Sequence, residues 1–312
     1  MDSTARHWFF IVNPAAGHGW AGRHWPEIAA QLDQHLPGYQ FAFTTHRGHA
    51  TDLAENALQN GFRCIVAVGG DGTNNEAVNG LMRQNLVPLS DILYTLLPVG
   101  TGNDWIRTHG IPRKLRLWLQ MASGGTVIEQ EVGIVDFMQD EGREQRRYFV
   151  NVAGLAYDAF VVQYSEQNKS RVGGSLMYLA LILFCLFKYR LSNMRVRFDG
   201  QERSGLYYTI NAGVCRYSGG GMQVVPHADP QDGLLALTLA GKLSKGGVLL
   251  NTWRFYNASI GRHPKVELHQ VRHISVESGD GTPVLVEADG EFLGQGPVRI
   301  SLDERRLRVL RP

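Results

Sequence analysis

From residue 7 to about residue 123, short apolar runs alternate with longer segments that suit helices: Trp8 to Val12 then 20–35, Gln40 to Phe43 then 49–60, Cys64 to Val68 then 73–84, and Ile92 to Leu97 then 103–121. Uninterrupted apolar runs fit strands buried on both faces, and the segments between them are long enough for crossovers. The pattern predicts a three-layer α/β domain with a largely parallel sheet. Beyond Ser123-Gly124-Gly125 the rhythm changes to alternating, β-branched and aromatic stretches at 126–138, 147–153, 194–199, 206–213, 234–239, 266–276, 283–288 and 298–309. These predict a mostly antiparallel β-sandwich domain with helices inserted around 174–189 and 246–257. The expected division is residues 1–128 and 129–303, with residues 304–312 a candidate to return to the first domain. A second substrate is expected in the cleft between the domains.

In parallel sheets, ligands bind beyond the carboxyl ends of the strands. Four turns fall there: Asn13-Pro14-Ala15-Ala16-Gly17, Thr44-Thr45, Gly69-Gly70-Asp71-Gly72-Thr73, and Pro98-Val99-Gly100-Thr101-Gly102-Asn103-Asp104. The third is the most informative. Glycines let backbone N–H groups close around phosphate oxygens, and the positive end of the helix beginning near Asn74-Asn75 favours the same charge. A carboxylate at Asp71 repels phosphates unless a divalent cation lies between them, so the five residues point to a magnesium-bound nucleotide.

Rival motifs fit less well. Gly17-His18-Gly19-Trp20-Ala21-Gly22 has the GxGxxG spacing of dinucleotide-binding folds, but Asn13-Pro14-Ala15-Ala16 separates it from the strand, and the second strand ends in Thr44-Thr45 rather than an acidic residue. The same stretch lacks the lysine and hydroxyl of a P-loop, because Arg23-His24 stands in their place. His269 and His273 lie in a strand-like alternation, and no CxxC or HExxH occurs. Any metal is therefore expected to be a hard cation on oxygen ligands.

The chain has 312 residues, 44% of them hydrophobic, which suffices for two cores. With 31 basic against 29 acidic residues, a formal charge of +2 gives no reason to expect a nucleic-acid partner. Arginines cluster at Arg143, Arg146 and Arg147, and at Arg305, Arg306, Arg308 and Arg311, as solvated faces commonly do. Cys64, Cys185 and Cys215 sit apart in apolar contexts and indicate no disulfide framework. The amino terminus does not read as a signal peptide, so a cytoplasmic protein is expected. The uncharged stretch Leu176 to Phe187 is a dozen residues, short of the roughly twenty that span a bilayer. It suits a buried helix, or one that lines an acyl groove or touches a bilayer surface.

Two acidic turns lie in the second half: Pro226-His227-Ala228-Asp229-Pro230-Gln231-Asp232-Gly233, and Asp289-Gly290-Glu291 after the strand Val284 to Glu287. Alone, each reads as an ordinary turn. In order, however, the pieces resemble the diacylglycerol kinase catalytic-domain family, which includes sphingosine kinases, ceramide kinases and soluble bacterial lipid kinases. The resemblance is carried by Asn13 to Gly17, Gly69 to Thr73, Pro98 to Asp104, Asn151 to Asp158, Gly219-Gly220-Gly221-Met222, Pro226 to Gly233 and Asp289-Gly290-Glu291. It implies ATP at Asn13, Thr44, the loop Gly69, Gly70, Asp71, Gly72, Thr73, Asn74 and Asn75, and the turn Gly100, Thr101, Asn103 and Asp104. It implies Mg2+ at a turn like 229–234, held by the Asp232 carboxylate and the main-chain carbonyls of Asp229 and Leu234. Asp289 corresponds to the general base, with Glu291 close by and Asp71 organising the metal on the phosphates.

The chain departs from many relatives in lacking a lysine at Gly17-His18-Gly19 and in carrying Asp229 where some have a basic residue. The expected activity is ATP-dependent phosphorylation of a lipid hydroxyl at a membrane surface, by a cytoplasmic enzyme peripheral to the inner face. Diacylglycerol, phosphatidylglycerol, monoacylglycerols and sphingoid bases all offer such a hydroxyl, and the motifs do not choose among them. A NAD kinase-like phosphotransferase is the alternative, disfavoured by Asn13-Pro14 and by Asp289-Gly290-Glu291. A non-catalytic nucleotide sensor is disfavoured by the presence of both Asp71 and Asp289. The pattern does not report an oligomeric state.

Overall fold

The computed structural model describes residues 7–100, 102–139, 142–168 and 175–312, with only the backbone described for 175–179. The chain divides into two compact units, residues 1–130 with 304–312, and residues 131–303.

In the first unit, the strands β1 (Trp8–Val12), β2 (Gln40–Phe43), β3 (Cys64–Gly69) and β4 (Leu93–Pro98) alternate with the helices α1 (Ala16–His35), α2 (His49–Gln59), α3 (Asp71–Arg83), α4 (Trp105–His109) and α5 (Leu115–Gly124). The pairs β1–β2, β1–β3 and β3–β4 are parallel. Every residue of β3 and β4 is buried, as uninterrupted apolar strands require. Helices cover them: Trp118 of α5 is fully buried and its Nε1 donates to Leu96 O at 2.9 Å. The segment 103–121 is two helices rather than one. Gly110 takes a left-handed φ of 68° and closes α4, and Pro112, which has no N–H to donate, prevents the helix from resuming at once.

The second unit takes up β5 (Thr126–Met138) from Glu131 onward. Next come β6 (Glu144–Phe149), β7 (Val152–Ala156), α6 (Tyr157–Gln167), α7 (Ser175–Lys188), β8 (Ser192–Phe198), β9 (Gln201–Gly213), β10 (Tyr217–Ser218) and β11 (Met222–Gln223). The chain continues through β12 (Leu235–Gly241), α8 (Lys245–Asn251), α9 (Trp253–Tyr256), β13 (Val266–Val271), β14 (His273–Ser278), β15 (Leu285–Ala288) and β16 (Glu291–Arg311). Antiparallel pairs join β9, β7, β15, β16, β14 and β8 in a closed circuit with no free edge. The strands β12 and β13 add outside β9.

Three stretches differ from the sequence pattern. The run 147–153 is two strands broken at Val150-Asn151, where the backbone N–H groups turn to Asp289. The run 266–276 breaks at Arg272, whose N–H, with that of His273, donates to the Asp199 carboxylate. Helix α6 falls where the pattern predicted no element. It starts directly after β7 and buries Tyr157, Ala159, Val161 and Val162.

The last strand is longer than its apolar pattern, and its residues from Glu304 belong to the first unit. There Arg308 and Val309 pair parallel with Leu93 and Tyr94, and Thr95 Oγ1 donates to Leu310 O at 3.1 Å. Leu307, Val309 and Leu310 are fully buried. Leu310→Ala is expected to destabilise the protein by about 3 kcal/mol, a large-to-small loss in a packed core. The check is urea denaturation, and an unchanged midpoint would show that this strand is dispensable.

Candidate active site

The turns after β1, β3 and β4 line a pocket of about 320 Å³ in the first unit. Asn13, Gly17, Gly70, Asp71, Thr73, Gly100 and Asn103 are among its walls, and the N-terminus of α3 opens into it. Two side chains lock the turns. Asn13 accepts from Ala15 N at 3.0 Å through its Oδ1 and donates from Nδ2 to Thr73 Oγ1 at 2.9 Å. Gly69 is needed beside them, since a Cβ there would lie 2.5 Å from Thr73 Oγ1. Backbone amides at a helix start, held in a concave loop, suit an anion such as phosphate.

Asp71 has a second task. Its carboxylate accepts Asp104 N at 2.9 and 3.1 Å and Trp105 N at 3.3 Å, so it pins the turn after β3 to the start of α4. The charge thus meets amide donors of the neighbouring turn, an interaction independent of any metal.

The other residues named for the nucleotide divide. Gly70, Gly72, Thr73, Gly100 and Asn103 line the pocket, whereas Asn74 and Asn75 are buried with their side chains turned inward. Asn74 Oδ1 accepts from Tyr94 OH at 2.7 Å, and Asn75 Oδ1 accepts from Asn79 Nδ2 at 3.1 Å. Thr44 continues the β1–β2 ladder through its N–H to Val12 O and is not among the pocket walls. Asp104 sits at the start of α4 and pairs with Arg107 at 3.3 Å, while Thr101 lies outside the described residues.

Two residues that no motif marked also shape these turns. Arg113 forks onto Gly100 O at 3.1 Å and Gly102 O at 2.8 Å, holding the carbonyls of the fourth turn. Glu76 accepts Gly48 N at 2.8 Å and Ala50 N at 3.3 Å and so closes the start of α2. Arg113 follows its turn by a full helix and Glu76 reaches 28 residues back along the chain. Local spacing therefore carries no signal for either.

In the second unit, Asp229 and Asp232 first stabilise their own turn. Asp229 Oδ1 accepts Gln231 N at 3.1 Å and Asp232 Oδ1 accepts Leu234 N at 3.0 Å. Asp232 Oδ2 accepts Gln270 Nε2 at 2.8 Å, and Glu131 accepts Gly233 N. The side chains and carbonyls here are oxygen donors, the chemistry that Mg2+ prefers. Among the described residues, however, no group of three or more His, Cys, Asp or Glu side chains gathers to hold a metal.

Asp289 and Gly290 form the tight turn between β15 and β16, with φ of 50° and 82°. An Asp-Gly pair tolerates this left-handed geometry. The Asp289 carboxylate accepts Val150 N at 2.9 Å, Asn151 N at 2.9 Å and Val152 N at 3.1 Å, which fixes its orientation. Glu291 accepts Arg147 Nη2 at 2.9 Å, so one of the clustered arginines serves this turn rather than an anionic surface.

Beneath the turn lies a carboxyl cluster that the sequence reading missed. Glu287 is buried and accepts Gly290 N at 2.8 Å. Burial pushes its carboxyl well above the usual range against the Gly290 hydrogen bond, and the neighbouring Asp158 and Asp289 push the same way. Asp158 is also raised by burial, against a hydrogen bond from Thr209 Oγ1 at 2.6 Å. Burial thus favours the protonated form of Glu287 more than in a free glutamate, and the side chain braces the Asp289-Gly290 turn.

The chain thus joins a parallel α/β unit with a rim suited to an anion to a β unit with a braced acidic turn. Residues 7–135 match the diacylglycerol kinase catalytic domain, and residues 151–311 match the YegS C-terminal NAD kinase beta sandwich-like domain. The chain belongs to the diacylglycerol kinase catalytic-domain family. A diacylglycerol kinase of Staphylococcus haemolyticus is 30% identical, over 97% of this chain and 87% of the relative. One from Staphylococcus aureus is 28% identical, over 97% and 91%. In fold, a diacylglycerol kinase structure from Bacillus anthracis superposes with a TM-score of 0.73 at 20% identity, covering 100% of this chain and 98% of the other. Yeast NADH kinase complexed with NADH superposes with a TM-score of 0.54 at 11% identity, covering 99% and 84%.

Two outcomes are expected. Asp71→Asn would set an amide N–H against the N–H of Asp104 or Trp105 and cost about 1–3 kcal/mol, read as a lower melting temperature. An unchanged melting temperature would mean that the pinning contributes nothing. For Glu287, whose folded pKa is raised, the stabilising contribution is complete below the ordinary carboxyl pKa and is lost as pH rises through the folded value. Glu287→Gln, neutral at every pH, is expected to gain on the parent in melting temperature as pH rises above about 4.5. Parallel profiles would count against a protonated Glu287.

Proposed function

We propose that this protein transfers the γ-phosphoryl group of ATP to the hydroxyl of a lipid, diacylglycerol or one of similar form, with Mg2+ required. The observation that carries the reading is the pocket rim, where Asn13 and Thr73 lock backbone amides at the start of α3 around a phosphate-sized concavity. The lipid acceptor rests on the named activities of the relatives.

In the reaction, the acceptor oxygen attacks the γ-phosphorus, a new O–P bond forms, the bond to the β-phosphate oxygen breaks, and ADP leaves. Asp289 takes the acceptor's proton as general base, held ready by Val150, Asn151 and Val152. Glu291 lies beside it in chain and is kept in place by Arg147. The turn amides, in loops that Arg113 helps to hold, position the phosphates, since phosphoryl transfer depends mainly on placement and charge neutralisation. When bound, Mg2+ neutralises phosphate charge. Asp71 would organise it on the phosphates, and the Asp232 carboxylate with the Asp229 and Leu234 carbonyls would hold magnesium at the turn of the second unit. The site of action is the cytoplasmic face of a membrane, where the acceptor is presented.

The test is labelled ATP offered with detergent-dispersed diacylglycerol or with NAD. Transfer to lipid is expected; transfer to NAD alone would favour a nucleotide kinase, a reading that the fold shared with yeast NADH kinase makes worth an arm. Asp289→Asn is expected to lower kcat by about 10²- to 10⁴-fold with ATP affinity little changed. Because the new amide would also oppose one of three N–H donors, its melting curve is recorded in parallel. A folded variant that keeps most of its turnover would refute the base assignment.

A further inference from the structure

Helices α7, α8 and α9 of the second unit carry a surface that the proposed chemistry does not use. One side of α7 is buried: Leu181, Cys185 and Leu186 pack with Tyr157, Val161 and Tyr208, and Val248 of α8 joins them. Core packing therefore accounts for that side alone. Outside it, Phe184, Phe187, Leu249, Leu250, Trp253 and Tyr256 are exposed. Leu250 is 76% exposed and Trp253 53%, which is more than a residue packed for stability would show.

Cations stand among these rings. Lys188 Nζ lies 4.7 Å from the Phe184 ring centre and 5.1 Å from that of Tyr164. Lys245 Nζ donates to Phe187 O at 2.6 Å and lies 5.5 Å from the Phe187 ring, tying α8 to the end of α7. The guanidinium of Arg254 lies 5.1 Å from the Trp253 ring. Acidic residues are missing from the same stretches of sequence. No Asp or Glu occurs between Glu166 and Asp199, or between Asp232 and Glu267, although the whole chain is nearly neutral at +2. Both stretches therefore carry a local excess of basic charge.

Exposed Leu, Phe, Trp and Tyr interleaved with Lys and Arg match the boundary between headgroups and acyl chains. A second copy of this face is a poor partner, because its cations would meet like charge. No helix among the described residues is long and apolar enough to cross a membrane, and the 14 residues of α7 reach only about 21 Å. We infer that the exposed face of α7, α8 and α9 docks the protein in the plane of an anionic phospholipid bilayer, with Leu250 and Trp253 inserted among the headgroups and Lys188, Lys245 and Arg254 at lipid phosphates.

This surface deepens the lipid-acceptor reading and rests on it for its purpose, but its test needs no nucleotide. The full chain is sedimented with vesicles of phosphatidylcholine alone or mixed with phosphatidylglycerol, at low and high salt. Binding to the mixed vesicles is expected, weakened by salt and much weaker on phosphatidylcholine alone. The double variant Leu250→Ser/Trp253→Ser, changed only at exposed positions, is expected to keep the parent melting temperature and lose about tenfold or more of its vesicle affinity. Absence of binding, equal binding by a folded variant, or a patch-dependent dimer in light scattering would each overturn the inference. Transfer to detergent-dispersed lipid, assayed separately, distinguishes failure of the docking surface from failure of the kinase reading.

Discussion

The carboxylate of Asp71 is the constraint on which the first unit's rim depends. Strands β3 and β4 run side by side, yet their turns would be independent without a link beyond the ladder. Asp71 provides it by accepting the N–H groups that begin α4, while Asn13 and Thr73 link the turn after β1. A cavity bounded by backbone amides keeps its shape only when the loops around it cannot move apart. Asp71 is therefore a tie between loops before it is a partner for any cation.

The second unit shows a related arrangement. Asp289 takes three backbone N–H groups at a break between β6 and β7, and the break exists because those N–H groups are directed at the carboxylate and not along a strand. Below it, burial pushes the Glu287 carboxyl well above its ordinary range, and the side chain accepts the turn's Gly290 N–H from underneath. One acid is held by many donors and its neighbour by desolvation.

Much of this was legible in residue order. The run Trp8 to Val12 is β1 and Gln40 to Phe43 is β2, because an apolar run of that length between turn residues has few other uses. The Asp289-Gly290 turn was readable for a similar local reason, since the pair has a strong preference for left-handed geometry. Elements broken by distant partners were not readable. The gap at Val150-Asn151 is set by an aspartate well over a hundred residues later, and the gap at Arg272 by Asp199. The resemblance places Asn74 and Asn75 at the nucleotide, but which way their side chains turn was not readable, and they meet Tyr94 and Asn79.

By itself, the sequence determined the alternating strands and helices of the first unit, most strands of the second, where the phosphate-suited turns fall, and the family to which the chain belongs, because each rests on local periodicity, turn preference or ordered motifs. Only the tertiary structure decided what the charged groups do. It assigned Asp71 to the start of α4, Glu291 to Arg147, Arg113 to the carbonyls of Gly100 and Gly102, and to Glu287 a burial that raises its carboxyl pKa. The reason is that a side chain's charge state and partner depend on burial and on donors brought from elsewhere in the chain, and neither is a property of its neighbours in sequence.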